Sequence, residues 1–448
     1  MKTETTSMTE GSPVKLILAF SAPLLLGNIF QQLYNLVDST VVGRFVGANA
    51  LAAVGAPGTI MALTLCLCFG LTNGAGIIIA QCFGAKNYNQ LKATIGALIC
   101  IISITALVLM IIGIAGAPFF LRLVSTPDEI INDAVLYMRI VMIGTPFSMA
   151  YNGASAILRN MGDSKTPLLM LMLSSFLNIV LDLIFVLAFG MAVMGVGIAT
   201  VISQAVSAAA CLIYMRRYKN ELHLDGLKIR FNRRCAKQIF KTGVPTALQS
   251  CMISLGTLSV QRLINSFGTQ AVAAYTASTK IDSVAIMVVV TMGMSLAVYS
   301  GQNMGAGKVD RIKSGLYKTL ALVLTYCVIM AVVMIFFGNN LLRIFLDPSE
   351  AGEAVSIGTQ YLRIIGIAYF MAGIMRCYLN VVHGTGDVNI SMLTGLAELA
   401  FRIIASYVLV KPLGLTGLWI AIPISWGCGS LIPVIRYYSG KWKYKSLV

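Results

Sequence analysis

Asp38 in YNLVDSTVV and Asp182 in LNIVLDLIF stand inside apolar runs that offer an ionised carboxylate no water. Such a group within a hydrophobic span is costly and normally faces a bundle interior or a water-filled cavity. Each has a polar neighbour at helical spacing. Asn35 precedes Asp38 by three residues and Asn178 precedes Asp182 by four, so each pair shares a helix face. Counted from Arg44 and Gly190, at the outer ends of their spans, the two acids lie at similar depth, about 9–12 Å in. Thr200 and Asn152, on two further spans, can complete an oxygen-rich pocket. Carboxylates, an amide and a hydroxyl around a dry pocket can hold a proton or a hard cation such as sodium. The bland alternative is that Asn152, Asn178 and Thr200 merely tie helix backbones together. An unpaired carboxylate is a poor tie, which sets Asp38 and Asp182 apart.

A second polar set lies later in the chain: Gln249, Lys280, Asp282, Arg376, Glu398 and Arg402. It reads as a structural network or as part of a substrate cavity. Glu398 and Arg402 are spaced to pair on one helix face.

The elements that position these residues follow from composition. Of 448 residues, 57% are hydrophobic and 11% charged, about half the charged share of a soluble protein. Apolar runs long enough to cross a bilayer recur, and helices are the spanning form. Twelve spans are expected, at 14–42, 51–82, 90–117, 130–157, 166–189, 194–216, 236–266, 271–302, 312–338, 354–381, 388–411 and 415–437. The opening MKTETTSMTEGSPVK is polar and the apolar stretch after it is too long for a cleaved signal peptide. The net charge of +16 sits mainly on one side of the membrane. The opposite loops hold only Arg44, Arg122, Arg343 and Lys411. The positive-inside rule then puts both termini in the cytoplasm and makes nucleic acid an unlikely partner. The ten cysteines fall mostly in apolar runs such as LCLCFG and read as small packing residues.

The chain also repeats itself. ALAA at 50–53 answers AVAA at 271–274, and QCFGA at 81–85 answers QNMGA at 302–306. Gly162-Asp163 answers Gly386-Asp387, Gly195 and Ser203 answer Gly417 and Ser425, and Pro23 answers Pro245. The expected fold is therefore an all-α polytopic membrane protein, twelve transmembrane helices in two six-helix lobes related by a parallel pseudo-twofold repeat. The lobes run 14–216 and 236–437, with a basic linker at 217–235 and tails at 1–13 and 438–448. Pro23 and Pro245 are candidate hinges. The acids are not repeated: the counterpart of Asp38 is Ser259, and that of Asp182 falls within Ile404–Ser406. GQNMGAGKVD near 301–310 looks like a phosphate loop, but its spacing fails and Val309 replaces the needed Ser or Thr. Its repeat context points to a helix end followed by a tight turn.

VDSTVVGRFVGANALAAVGA, ILRNMGDSKTP, LNIVLD and GVGIATVISQ, in this order, resemble the multidrug and toxic compound extrusion (MATE) family over nearly the whole chain. The resemblance implies that Asp38, Asn178 and Asp182 belong to a first-lobe cation-coupling site, with Thr200 and Asn152. Sodium, if carried, would sit at Asp38, Asn178, Asp182 and Thr200. One branch of the family adds acids on helices 7 and 10, but PTALQSCMISLG and YFMAGIMRCYLN hold none, which favours first-lobe coupling. The implied function is a secondary antiporter of the cell membrane, monomeric and without cofactor. It would export amphipathic or cationic organic compounds in exchange for protons or sodium, by alternating access. The alternative is a lipid-linked oligosaccharide flippase. Neither HExxH nor a catalytic triad marks an enzyme.

Overall fold

The computed structural model describes residues 7–346 and 352–448, so Lys2 of the expected cytoplasmic tail lies outside the described residues. These residues form thirteen α-helices and no strand. In the first half they are α1 (Pro13–Val41), α2 (Ala48–Gly55), α3 (Gly58–Gly84), α4 (Tyr88–Leu123), α5 (Ile131–Asn160), α6 (Lys165–Leu183) and α7 (Ala192–Arg217). The second half holds α8 (Arg233–Asn265), α9 (Thr269–Gly305), α10 (Val309–Leu342), α11 (Gly352–Gly384), α12 (Asn389–Leu413) and α13 (Leu415–Tyr438). Among the described residues, eleven helical segments are long and apolar enough to cross a membrane, α2 and α3 counting as one. The helix outside that set, α8, is long enough, but it opens on Arg233, Arg234, Lys237 and Lys241 and continues through Gln249, Ser250, Ser254, Thr257 and Ser259.

Helix starts are set by side chains that take up free backbone N–H groups. Asn87 accepts from Gln90 N (3.2 Å) at α4. Asp163 accepts from the amides of Lys165 and Thr166 (3.1 and 2.9 Å) at α6. Asn232 accepts from Arg234 and Cys235 (3.0 and 3.2 Å) at α8. The repeated Gly-Asp is thus a turn device. Gly162 and Gly386 have φ of 96° and 100°, where a Cβ is strained. Asp163 also accepts the Tyr214 hydroxyl (3.3 Å), and Asp387 pairs with Arg436 at 2.5 Å. The phosphate-loop lookalike is a helix end: Ala85 and Ala306 close onto the carbonyls of Gln81 and Gln302 (2.9 and 3.0 Å). The left-handed residue that follows is Gly307 in one copy, but Lys86, at φ 56°, in the other.

By packing, the chain divides into two compact units. One holds Ala22–Ala247; the other holds Met8–Ser21 together with Leu248–Val448. Each unit thus contains the leading part of a helix whose remainder lies in the other. The first unit binds the start of α8 by close helix packing. Gly70 and Gly74 of α3 face Gly243 and Ala247 so closely that a Cβ on Gly74 would strike the Gly243 backbone, the small-xxx-small contact that lets membrane helices meet. The second unit binds the chain before α1 by hydrogen bonds. Met8 N donates to Gln302 Oε1 (2.9 Å), Met8 O accepts from Asn303 Nδ2 (3.0 Å), Thr9 O from Lys308 Nζ (3.0 Å) and Gly11 O from Arg311 Nη2 (3.0 Å). Helix α5 packs on α3, α4 and α7 in the first unit, and α11 on α9, α10 and α13 in the second. None of the ten cysteines is in a disulfide among the described residues.

Candidate functional site

In the first unit the acids read from the sequence meet. Asp38 on α1 and Asp182 on α6 bring their carboxyl groups within hydrogen-bonding reach of each other. Asp182 and Asn178 are each 1% exposed, and Thr200 is 7% exposed. Asn178 donates its Nδ2 to Asp182 Oδ2 (2.9 Å) and accepts from Thr200 N (3.2 Å). Helix spacing explains this: Asn178 lies one turn before Asp182 and shares its face. Two carboxylates cannot approach in so dry a setting while both are charged and unshared; a proton or a cation must lie between them.

The oxygen inventory limits what that can be. Thr200 donates its hydroxyl to Val196 O (3.0 Å), and the Tyr34 side chain lies beside it. Two buried oxygens of the pair, Asp38 Oδ1 and Asp182 Oδ1, have no partner. No group of three or more His, Cys, Asp or Glu side chains capable of holding a metal gathers among the described residues.

Two features were not read from the sequence. Just beyond each acid its helix widens: α1 passes into a π-helical turn at Val42–Val46, and α6 into another at Ile184–Ala188. Such turns are rare and concentrate at functional sites. Among the described residues, the counterpart helices α8 and α12, which lack the acids, have none. Val42 and Val186 from these turns pack with Val41, Ala50, Tyr137, Val193 and Val196 into a closed apolar cluster one turn past the carboxyls. The other feature is aromatic. Tyr34 is four residues before Asp38, so the signal was present in YNLVD; Tyr137 of α5 stands close enough for its hydroxyl to feel both acids.

The remaining first-half candidate, Asn152, turns its amide to Ser148 O (2.9 Å), a backbone bond within α5. In the second unit Arg402 pairs with Glu398 at 2.7 Å, with side chains 9% and 4% exposed, and also reaches Ser425 Oγ (3.3 Å). Asp282 accepts the Tyr369 hydroxyl, has the Tyr361 side chain beside it, and lies within electrostatic range of Arg402. Gln249 packs against Gly395 of the helix that carries Glu398 and Arg402. Lys280 stands apart, its ammonium 5.8 Å over the Phe345 ring. Arg376 is half-buried on α11, where its carbonyl accepts from Asn380 (2.8 Å). Ser259, at the counterpart of Asp38, bonds the Leu255 carbonyl (2.9 Å).

One family profile, MatE, matches the chain twice, over residues 23–184 and 245–408. The chain belongs to the MatE family. The two matches begin at Pro23 and Pro245 and split the MatE chain as its internal repeat does. The "Probable multidrug resistance protein YoeA" of Bacillus subtilis (strain 168) is 29% identical over 96% of this chain and 94% of its own length. A "FAD transporter" of Shewanella oneidensis is 24% identical over 95% and 93%. A solved outward-facing multidrug resistance MATE family transporter of the MOP superfamily aligns with a TM-score of 0.90 at 23% identity, covering 99% of both chains. At that identity the likeness speaks for the fold.

Proposed function

We propose that this MatE chain is a secondary antiporter of the cell membrane that exports amphipathic or cationic organic compounds against inward protons, both termini facing the cytoplasm. The observation that carries the reading is the Asp38–Asp182 pair, Asp182 buried and Asp38 half-buried, whose close approach calls for a positive charge between its oxygens. The proton is favoured over sodium by count. A hard cation gathers about six oxygens, while here Asn178 already occupies Asp182 Oδ2 and turns its own oxygen to Thr200 N, and Asp38 Oδ1 and Asp182 Oδ1 are buried without a partner. The names of relatives, multidrug resistance proteins among them, support an organic cargo. Apolar walls and flexible methionines, 23 in the chain, suit a tolerant site. Proton binding and cargo binding need only favour different states of an alternating-access cycle. A flippase for lipid-linked pyrophosphates would want unpaired cations; Arg402 is held by Glu398 and Lys280 is drawn over Phe345.

The test is efflux of a fluorescent organic cation from proteoliposomes under a proton gradient alone and a sodium gradient alone. Proton-driven efflux, lost in Asp38→Asn and Asp182→Asn while dye binding persists, is the expected result. Drive by sodium alone would reassign the coupling ion. Wild-type efflux in both variants would remove the site.

A further inference from the structure

The segment joining α7 to α8 is fixed to the first unit residue by residue. Leu222 and Leu224 are buried at 0% and 4% exposure. His223 stacks on Tyr88, with ring centres 4.0 Å apart. Asp225 pairs with Lys92 at 3.3 Å. The Lys228 carbonyl lies so near Gly96 that a Cβ there would stand 2.6 Å from it. Asn232 then caps α8.

What this anchored segment presents outward is uniform in chemistry. Lys228, Arg230, Arg233, Arg234, Lys237 and Lys241 are all exposed. Between residues 216 and 241 nine basic residues stand against Glu221 and Asp225, and Asp225 is taken by Lys92. Ile229, Phe231 and Phe240 are exposed among them, at 62%, 59% and 45%. Lys228-Ile229-Arg230-Phe231 lies outside both flanking helices, and its cations and apolar side chains alternate in sequence with all four exposed. The segment follows α7, a helix long and apolar enough to cross a membrane that ends on Arg216 and Arg217, which sets it at the level of the headgroups.

We propose that residues 228–241 form a built docking surface for anionic phospholipid, the arginines and lysines meeting headgroup phosphates while Ile229 and Phe231 enter the acyl boundary. A solvated basic loop would have no use for two large apolar side chains held outward, and would not need its backbone pinned by a stack, an ion pair and a glycine contact. Lys and Arg stems snorkel, burying their methylenes beside such apolar residues and keeping the charge among phosphates. Each basic residue near an anionic surface strengthens association about fivefold. The surface is rigid, so this attraction is not diluted by ordering a loop.

The experiment titrates detergent-purified full-length protein with phosphatidylglycerol and with phosphatidylcholine and counts bound lipid by native mass spectrometry. Phosphatidylglycerol should bind at least tenfold more tightly than phosphatidylcholine. The variant K228Q/R230Q/R233Q/R234Q should lose at least tenfold toward phosphatidylglycerol with phosphatidylcholine unchanged. I229S/F231S keeps every charge and should lose severalfold toward phosphatidylglycerol. The variant K441Q/K443Q/K445Q, at the chain's other basic cluster, should behave as wild type. Inorganic phosphate at matched concentration should not displace the lipid. Single substitutions, beginning with Arg230→Gln, supply a graded series if the quadruple variant melts. Equal affinity for the two lipids, unchanged binding in the linker variants, an equal loss in the C-terminal variant, or displacement by free phosphate would overturn the proposal.

Discussion

Glu398→Gln tests the second unit's polar network with a change of one atom type. In the wild type the Arg402 guanidinium meets the Glu398 carboxylate at 2.7 Å, both side chains almost closed to solvent. Its other bond, to Ser425 Oγ at 3.3 Å, is long and goes to a hydroxyl already donated to Ile422 O (2.7 Å). Glutamine keeps the shape and one acceptor but removes the counter-charge in contact, leaving the buried cation only Asp282 at longer range. Breaking a buried pair in this way costs about 3–5 kcal/mol, and the retained acceptor sets the expectation at the low end, about 3 kcal/mol. For a unit of this size each kcal/mol moves the melting temperature by about 2–4 °C, so the shift should be about 6–12 °C downward. Trp419 and Trp426 are buried within the same unit, and intrinsic fluorescence during heating in detergent reads the melt directly. The paired change Glu398→Gln with Arg402→Met removes the stranded charge and should recover at least half of the loss. A single variant that melts with the wild type, or a double variant whose losses simply add, would refute the reasoning.

Further outcomes are expected elsewhere. Lys86→Gly should stabilise by about 1 kcal/mol, because it relieves a left-handed residue with a side chain; thermal melting measures it. Gly74→Val should prevent folding, since the branched side chain meets the backbone of α8 at Gly243; loss of monodisperse protein on size exclusion reports it, and normal elution refutes the contact. Tyr34→Phe removes the hydroxyl that lies beside Thr200 and Asp38 and should slow gradient-driven efflux severalfold at unchanged melting temperature. Asp163→Ala should cost about 1 kcal/mol through the uncapped start of α6.

Much of this was legible before any coordinates. Apolar run length gave the helices, and the fixed offset of matched residues gave the duplication that the family profile reproduces from Pro23 and Pro245. Asp38, Asn178, Asp182 and Thr200 were readable because a polar atom in an apolar run needs a reason, and helix spacing says which ones share a face. Asn152 satisfied the same logic, and its Nδ2 bonds Ser148 O within α5; a sequence does not tell a backbone bond from a site ligand. The π turns at Val42–Val46 and Ile184–Ala188 were not legible. They arise from how α1 and α6 pack, and the valine-rich runs around them would also suit ordinary helix. Lys280 and Asp282 are two residues apart and look like neighbours, but positions two apart on a helix point different ways. One meets Tyr369 and the other Phe345.

The exchange of leading helix segments has a consequence for synthesis. The first unit cannot close when its own helices have been made. Gly70 and Gly74 must wait for Gly243 and Ala247, which follow the whole basic linker. The wait is longer at the other end. Met8 finds its partners only when Gln302, Asn303 and Arg311 arrive about three hundred residues later. At about 5–20 residues per second, that leaves the opening segment unmatched for about 15–60 seconds of translation. A nascent chain stalled short of Gln302 should therefore hold Met8 open to a protease, and one stalled well past Arg311 should not.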